Sequence, residues 1–149
     1  MKSIISRETE GLTARALALA LLAVCLIAPA GCSGDSGPLE GTRWRLTGWT
    51  ISSLWPGDFV ITAQFADGKI TGSTGLNTYG GPCKVGSGGK FAAGPLAVTL
   101  KAGPEPDMRA ERVHLQLLGA AKSYKIAGNK LTLYDQGGFD SVYFEAVTK

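Results

Sequence analysis

The sequence predicts a mainly β fold, a compact antiparallel barrel-like domain of about eight short strands with one helix. Three observations carry this. Between residues 42 and 147, apolar and polar residues alternate with period two in one segment after another. Turn dipeptides such as Asp67-Gly68 and Gly128-Asn129 separate those segments. One stretch alone, from Asp107 to about Ala121, spaces its apolar residues at helical intervals.

In chain order, Thr42–Trp49 places Trp44, Leu46 and Gly48 on one face and Arg43 and Arg45 on the other, the pattern of a half-buried strand. Trp55-Pro56-Gly57-Asp58 is a turn cluster. Phe59–Ala66 alternates again, with Ile61, Ala63 and Phe65 on one side. Asp67-Gly68 joins it to Lys69–Ser73 as a tight hairpin. The Gly-rich stretch that follows reads as a strand near Thr78–Val85, a turn at Gly86-Ser87-Gly88-Gly89 and a short strand around Phe91. Leu96–Leu100 is a further strand, and Ala102-Gly103-Pro104-Glu105-Pro106 breaks the pattern. Asp107 is the expected helix N-cap, with Met108, Leu115 and Leu118 on the buried stripe and Glu111 and Arg112 outside it. Ser123–Ile126, the Gly128-Asn129 turn and Lys130–Tyr134 make a second hairpin, and Ser141–Val147 is the last strand. Closing such strands on themselves removes exposed edges.

The first thirty-odd residues are of another kind. Lys2, Arg7 and Arg15 precede the unbroken apolar run Ala16–Ala28. A run of about 13 residues suits a signal-peptide core and falls short of the ~20 that span a bilayer. Pro29-Ala30-Gly31-Cys32 then resembles a bacterial lipobox, with Pro29 where an aliphatic residue is usual, and a Ser/Gly-rich stretch follows. The expected organisation is a lipoprotein-type signal peptide (1–31), a lipidated Cys32 with a flexible tether (32–38), and a folded domain (39–149). Several acyl chains at Cys32 hold a protein on a membrane where one does not. Ala28-Pro29-Ala30 offers the competing reading, cleavage and free secretion.

Removing residues 1–31 takes away three basic and two acidic side chains, so the net charge of +3 falls to +2. The remaining Lys and Arg are scattered along the sequence, which excludes a nucleic-acid footprint. Cys25 leaves with the leader, and Cys83 is left without a partner for a disulfide, so the domain relies on its core. Cys83 itself reads as a small buried hydrophobe. His114 is the only histidine, and it is expected at the surface or the edge of the core. With no metal-binding, nucleophile or phosphate-loop motif, the chain reads as a non-enzyme without metal or cofactor. Of the three tryptophans, Trp44 belongs to the core and Trp55, in the turn, is the candidate for exposed contact. Asp58, Asp67, Asp135 and Asp140 lie at turns for backbone reasons.

Leu39-Glu40-Gly41-Thr42-Arg43-Trp44-Arg45-Leu46 resembles the opening of the META/HslJ domain family. Phe65 to Gly81, with Gly72, Gly75, Asn77, Tyr79 and Gly81 at the marker positions, resembles the central signature of that family. The resemblance runs over about residues 39–147. It departs at Leu76, where the family has cysteine, and at Ala102-Gly103-Pro104, where a second cysteine is often found. Both absences are explained together if those cysteines touch each other in relatives. The resemblance implies a barrel-like domain of bacterial envelope lipoproteins and secreted proteins, with relatives linked to heat shock and to novobiocin resistance. It carries over no catalytic residue. Its glycines are expected to permit special backbone conformations, with Asn77 and Tyr79 hydrogen-bonding across the turn.

The expected function is therefore that of a monomeric envelope lipoprotein on the outer side of a membrane, supporting envelope integrity or stress tolerance by binding an envelope protein or a small apolar ligand. A carrier of a lipid-like molecule and a secreted inhibitor or interaction module are the alternatives.

Overall fold

The chain is pinned as soon as it enters the fold. The Gly37 carbonyl accepts the Glu40 N–H at 2.9 Å, Leu39 is fully buried, and the Gly41 N–H donates to the Phe65 carbonyl at 2.8 Å. The computed structural model describes residues 37–147. The expected leader, Cys32 and tether residues 33–36 lie outside the described residues.

Nine strands follow: β1 (Arg43–Trp49), β2 (Thr62–Ala66), β3 (Lys69–Ser73), β4 (Thr78–Gly86), β5 (Lys90–Ala93), β6 (Ala97–Val98), β7 (Ser123–Ala127), β8 (Lys130–Tyr134) and β9 (Asp140–Ala146). The helix α1 (Glu105–Ala120) connects β6 to β7. Neighbours run β3-β2-β1-β9-β8-β7-β5-β4, and β4 pairs back onto β3, so eight antiparallel strands close a barrel. The two-residue β6 takes the edge of β4 at Tyr79 and Gly80 that β5 leaves free. Closure is thinnest between β5 and β7, which meet at one pair, Lys90–Ser123. The Phe91 N–H donates to the Lys122 carbonyl beside it, at 2.9 Å.

Local chemistry explains the hairpins. Asp67 (φ 54°) and Gly68 (φ 68°) both adopt the left-handed region, the geometry whose twist matches the flanking strands. Alternation explains the core. Ile61, Ala63, Phe65, Ile70, Leu131, Leu133, Val142 and Phe144 are all buried, while their outward neighbours, the buried Ser141 apart, are exposed or half-buried. Each large apolar side chain so buried contributes about 1.5–3 kcal/mol. The helix packs against β5 and β9.

Three expectations are corrected. First, the register of β1 against β9 shifts between Leu46 and Gly48. This bulge turns Trp49 inward, where its Nε1 donates to the Leu54 carbonyl at 2.9 Å, and leaves Gly48 under the Tyr143 ring. Second, Asp107 is not the N-cap. The helix starts at Glu105 after Pro104, with Pro106 in its first turn, where a missing N–H leaves no bond unmade. Its buried residues are Ala110, His114, Leu117 and Leu118, while Met108 stands more than a third exposed. His114 is in the core and not at its edge. Third, Leu96–Leu100 shortens to the bridge Ala97–Val98, because only Tyr79 and Gly80 offer it a free edge.

Candidate functional site

The signature residues gather where β3 turns into β4. Gly72 in β3 lies opposite Tyr79 in β4. A Cβ on Gly72 would stand 2.0 Å from the Thr62 carbonyl oxygen and 2.9 Å from Tyr79 Cε1. The missing side chain thus lets the tyrosine ring lie over the strand, and the phenol donates to that same Thr62 oxygen at 2.9 Å. Burial pushes the Tyr79 phenol far above its ordinary range, so it stays a protonated donor. Gly81 serves a second close approach, since a Cβ there would meet the Pro95 carbonyl oxygen at 2.3 Å.

Asn77 is the hub of the turn. Its backbone N–H donates to Thr74 Oγ1 at 2.9 Å, and its carbonyl accepts the Thr74 N–H at 2.8 Å. Its side chain reaches the segment after β6: Oδ1 accepts from the Lys101 N–H and the Thr99 hydroxyl, both at 2.8 Å, and Nδ2 donates to the Lys101 carbonyl at 3.1 Å. A buried amide with each of these groups paired holds two chain segments together. The Thr74 hydroxyl spends its one proton on Glu111 Oε2 at 2.6 Å, tying the turn to α1.

One helical turn beyond Glu111, His114 enters the core. Its ring lies edge-on to Tyr79 at 5.2 Å and to Phe144 at 6.1 Å between centroids. Neither ring nitrogen has a hydrogen-bond partner, and burial pushes the imidazole down to about 4. Cys83 is buried as expected, and desolvation pushes its thiol up to about 11. Such a thiol is protonated at neutral pH and a poor nucleophile. Among the described residues, no three His, Cys, Asp or Glu side chains group closely enough to hold a metal.

The structure therefore brings Gly72, Gly75, Asn77 and Tyr79 into one corner, with Gly75 at a positive φ of 89° in the turn and Gly81 further along β4. Cys32 lies outside the described residues. Thr74, Thr99 and Glu111 join this corner without having been candidates in the sequence, and so does His114, which was expected at the surface or the edge of the core. The available signal was the place of Thr74 between the two marker glycines. Leu76 packs directly on Gly103: a Cβ on Gly103 would be 2.6 Å from Leu76 Cδ1 and 3.5 Å from its Cγ. The two places at which the sequence departs from the cysteines of the family are thus neighbours in space.

A family model described as the META domain matches residues 37–148. The chain belongs to the META domain family. The META domain here shares its fold with an NMR structure of a protein from Burkholderia xenovorans, at 23% identity and TM-score 0.62, covering 74% of this chain and 85% of that one. A crystal structure of a DUF4847 family protein from Bacteroides vulgatus is similar at 15% identity and TM-score 0.56, covering 76% and 98% of the two chains. No curated protein matches the chain.

The META domain also displays large apolar side chains at one end of its barrel. Trp55 is 71% exposed, with Ile51 and Val60 on the same β1–β2 connection. Phe139 in the β8–β9 turn (73%) and Leu100 after β6 (97%) stand at that end too. The Thr50 N–H, donating to the Ser141 carbonyl at 3.2 Å, holds the first of these loops beside the start of β9. On the barrel wall, a groove of about 230 Å³ runs over the bulge between Gly48, Lys130, Thr132 and Tyr143.

Proposed function

We propose that this META domain works without catalysis, as an exported, lipid-anchored envelope protein that supports envelope integrity or stress tolerance by holding a partner protein at its apolar rim. One observation carries the reading. The signature side chains Asn77 and Tyr79 are spent on hydrogen bonds within the fold, whereas Trp55, Val60, Phe139 and Leu100 are left to solvent. Aromatic side chains exposed together at the end of a rigid scaffold are the usual anchors of a protein interface. The filled barrel interior weighs against a carrier of a lipid-like ligand, because Phe144, Leu46, Ile70 and Leu133 occupy the space such a ligand would need.

The test has two arms. Metabolic labelling with a fatty-acid analogue is expected to label the wild type and not Cys32→Ala, which is then released from membranes; label retained in the variant sinks the anchor. In a host lacking the protein, the wild type is expected to restore tolerance of envelope stress and Trp55→Ala/Phe139→Ala to fail at equal abundance. Full restoration by the double variant sinks the rim.

A further inference from the structure

The two ends of the barrel differ in charge as well as in apolar character. β1, β3, β5 and β8 start, and β2, β4, β7 and β9 finish, at the end where Gly37 enters, so the hairpin turns Asp67-Gly68, Ser87–Gly89 and Gly128-Asn129 share that end. Gly37 itself lies there, against Val85 near the finish of β4. On the halves of the strands nearest this end stand six exposed basic side chains, Arg43, Arg45, Lys69, Lys84, Lys90 and Lys130. Three acidic ones face them, Glu40, Asp67 and Glu145. Glu40 is already committed to the Asp67 N–H at 2.6 Å, and Glu145 lies opposite both Arg45 and Lys130 in the sheet. The opposite rim has the reverse balance, with Asp58, Asp135 and Asp140 against Lys101, while Lys122 lies beside Lys90, at the Lys90–Ser123 pair that joins β5 to β7.

We infer that the barrel stands end-on upon an anionic lipid surface, its basic hairpin end against the headgroups and its apolar rim facing away. Two observations agree. The chain leaves the fold toward Cys32 from the basic end, and the few residues between Gly37 and Cys32 keep that end within about 20 Å of any anchor. Basic side chains are drawn to anionic headgroups over roughly one Debye length, about 8–10 Å, which the first three residues of a strand span. The orientation rests on the lipid-anchor reading. The basic face does not, and it predicts lipid selectivity by itself.

The exported protein is reconstituted into phosphatidylcholine vesicles with and without about one third phosphatidylglycerol, and its lysines are acetylated and counted by mass spectrometry. Lys69, Lys84, Lys90 and Lys130 are expected to react at least about threefold more slowly on the anionic vesicles, with the difference lost at high salt. Lys101 at the far rim is expected to be unchanged. Equal rates on both vesicles, or protection of Lys101 instead, overturn the proposal. Protein that leaves both kinds of vesicle overturns the anchor reading alone. The full chain with Cys32→Ala, which has no anchor, is then the direct test of the face. Weak, salt-sensitive binding to the anionic vesicles only supports it, and no binding at low salt rejects it.

Discussion

The imidazole of His114 lies edge-on to the phenol ring of Tyr79, with centroids 5.2 Å apart, and it reaches no hydrogen-bond partner. A histidine in that position is neutral by compulsion, since no acidic group pairs with it and burial lowers it from 6.5 to about 4. As pH falls from about 6.5 to about 4, the unfolded chain takes up a proton that the folded chain refuses. Stability is therefore lost across that window, by about 3 kcal/mol in all, and the loss levels off below it. His114→Leu is expected to lack this component and to be at least as stable as the wild type near pH 7, because two unpaired buried nitrogens are gone. Denaturant unfolding of both proteins at several pH values measures it. A wild-type minus variant difference that does not change with pH would contradict the assignment.

Gly72→Ala tests the close approach of Tyr79. The new Cβ would meet the Thr62 carbonyl at 2.0 Å, so β2 and β3 have to part. The expected loss is about 3 kcal/mol, at the upper end of what an overpacked site shows, and thermal unfolding reads it directly. A loss below about 1 kcal/mol means that the backbone gives way cheaply there.

Asn77→Ala leaves the Lys101 N–H and carbonyl unpaired and frees the segment between β6 and α1. A cost of about 2–4 kcal/mol follows from the hydrogen bonds lost. Amide exchange at Lys101 is expected to quicken, while exchange in the β7–β8 hairpin keeps its difference from the global stability. Uniform quickening with no local change at Lys101 would argue that Asn77 acts elsewhere.

The Leu76–Gly103 contact predicts an engineered crosslink. Leu76 Cγ, the atom that a cysteine sulfur would replace, is 3.5 Å from a Cβ built on Gly103. That is close enough for a disulfide with little movement of the backbone. Leu76→Cys/Gly103→Cys is expected to oxidise with the loss of two thiols and to gain about 3–4 kcal/mol relative to its reduced form. Persistence of both engineered thiols under air oxidation would refute the geometry.

How much of this was legible in the chain divides along a physical line. The hairpin at Asp67-Gly68, the inward face of β2, the exposure of Trp55 and the burial of Cys83 follow from residues that meet neighbours a few positions away. Turn chemistry and period-two alternation suffice for them. The signature pointed to the right corner, since Gly72, Asn77 and Tyr79 do meet there. What the sequence could not supply was the set of their partners. Asn77 bonds to Lys101, Thr74 to Glu111, and Tyr79 to Thr62, across separations that alternation does not reach. The helix shows the limit most clearly. Its own periodicity chose Met108 and Leu115 for the buried stripe, but the barrel presents Tyr79 and Phe144, whose rings receive His114, and Leu115 is left only partly buried beside the fully enclosed Leu118. The sequence by itself determined which segments become strands and which of their faces is apolar, because backbone preference and side-chain alternation are local. The tertiary structure alone decided which side chains those faces enclose, because closing the barrel brings strands from both ends of the chain into one packed interior.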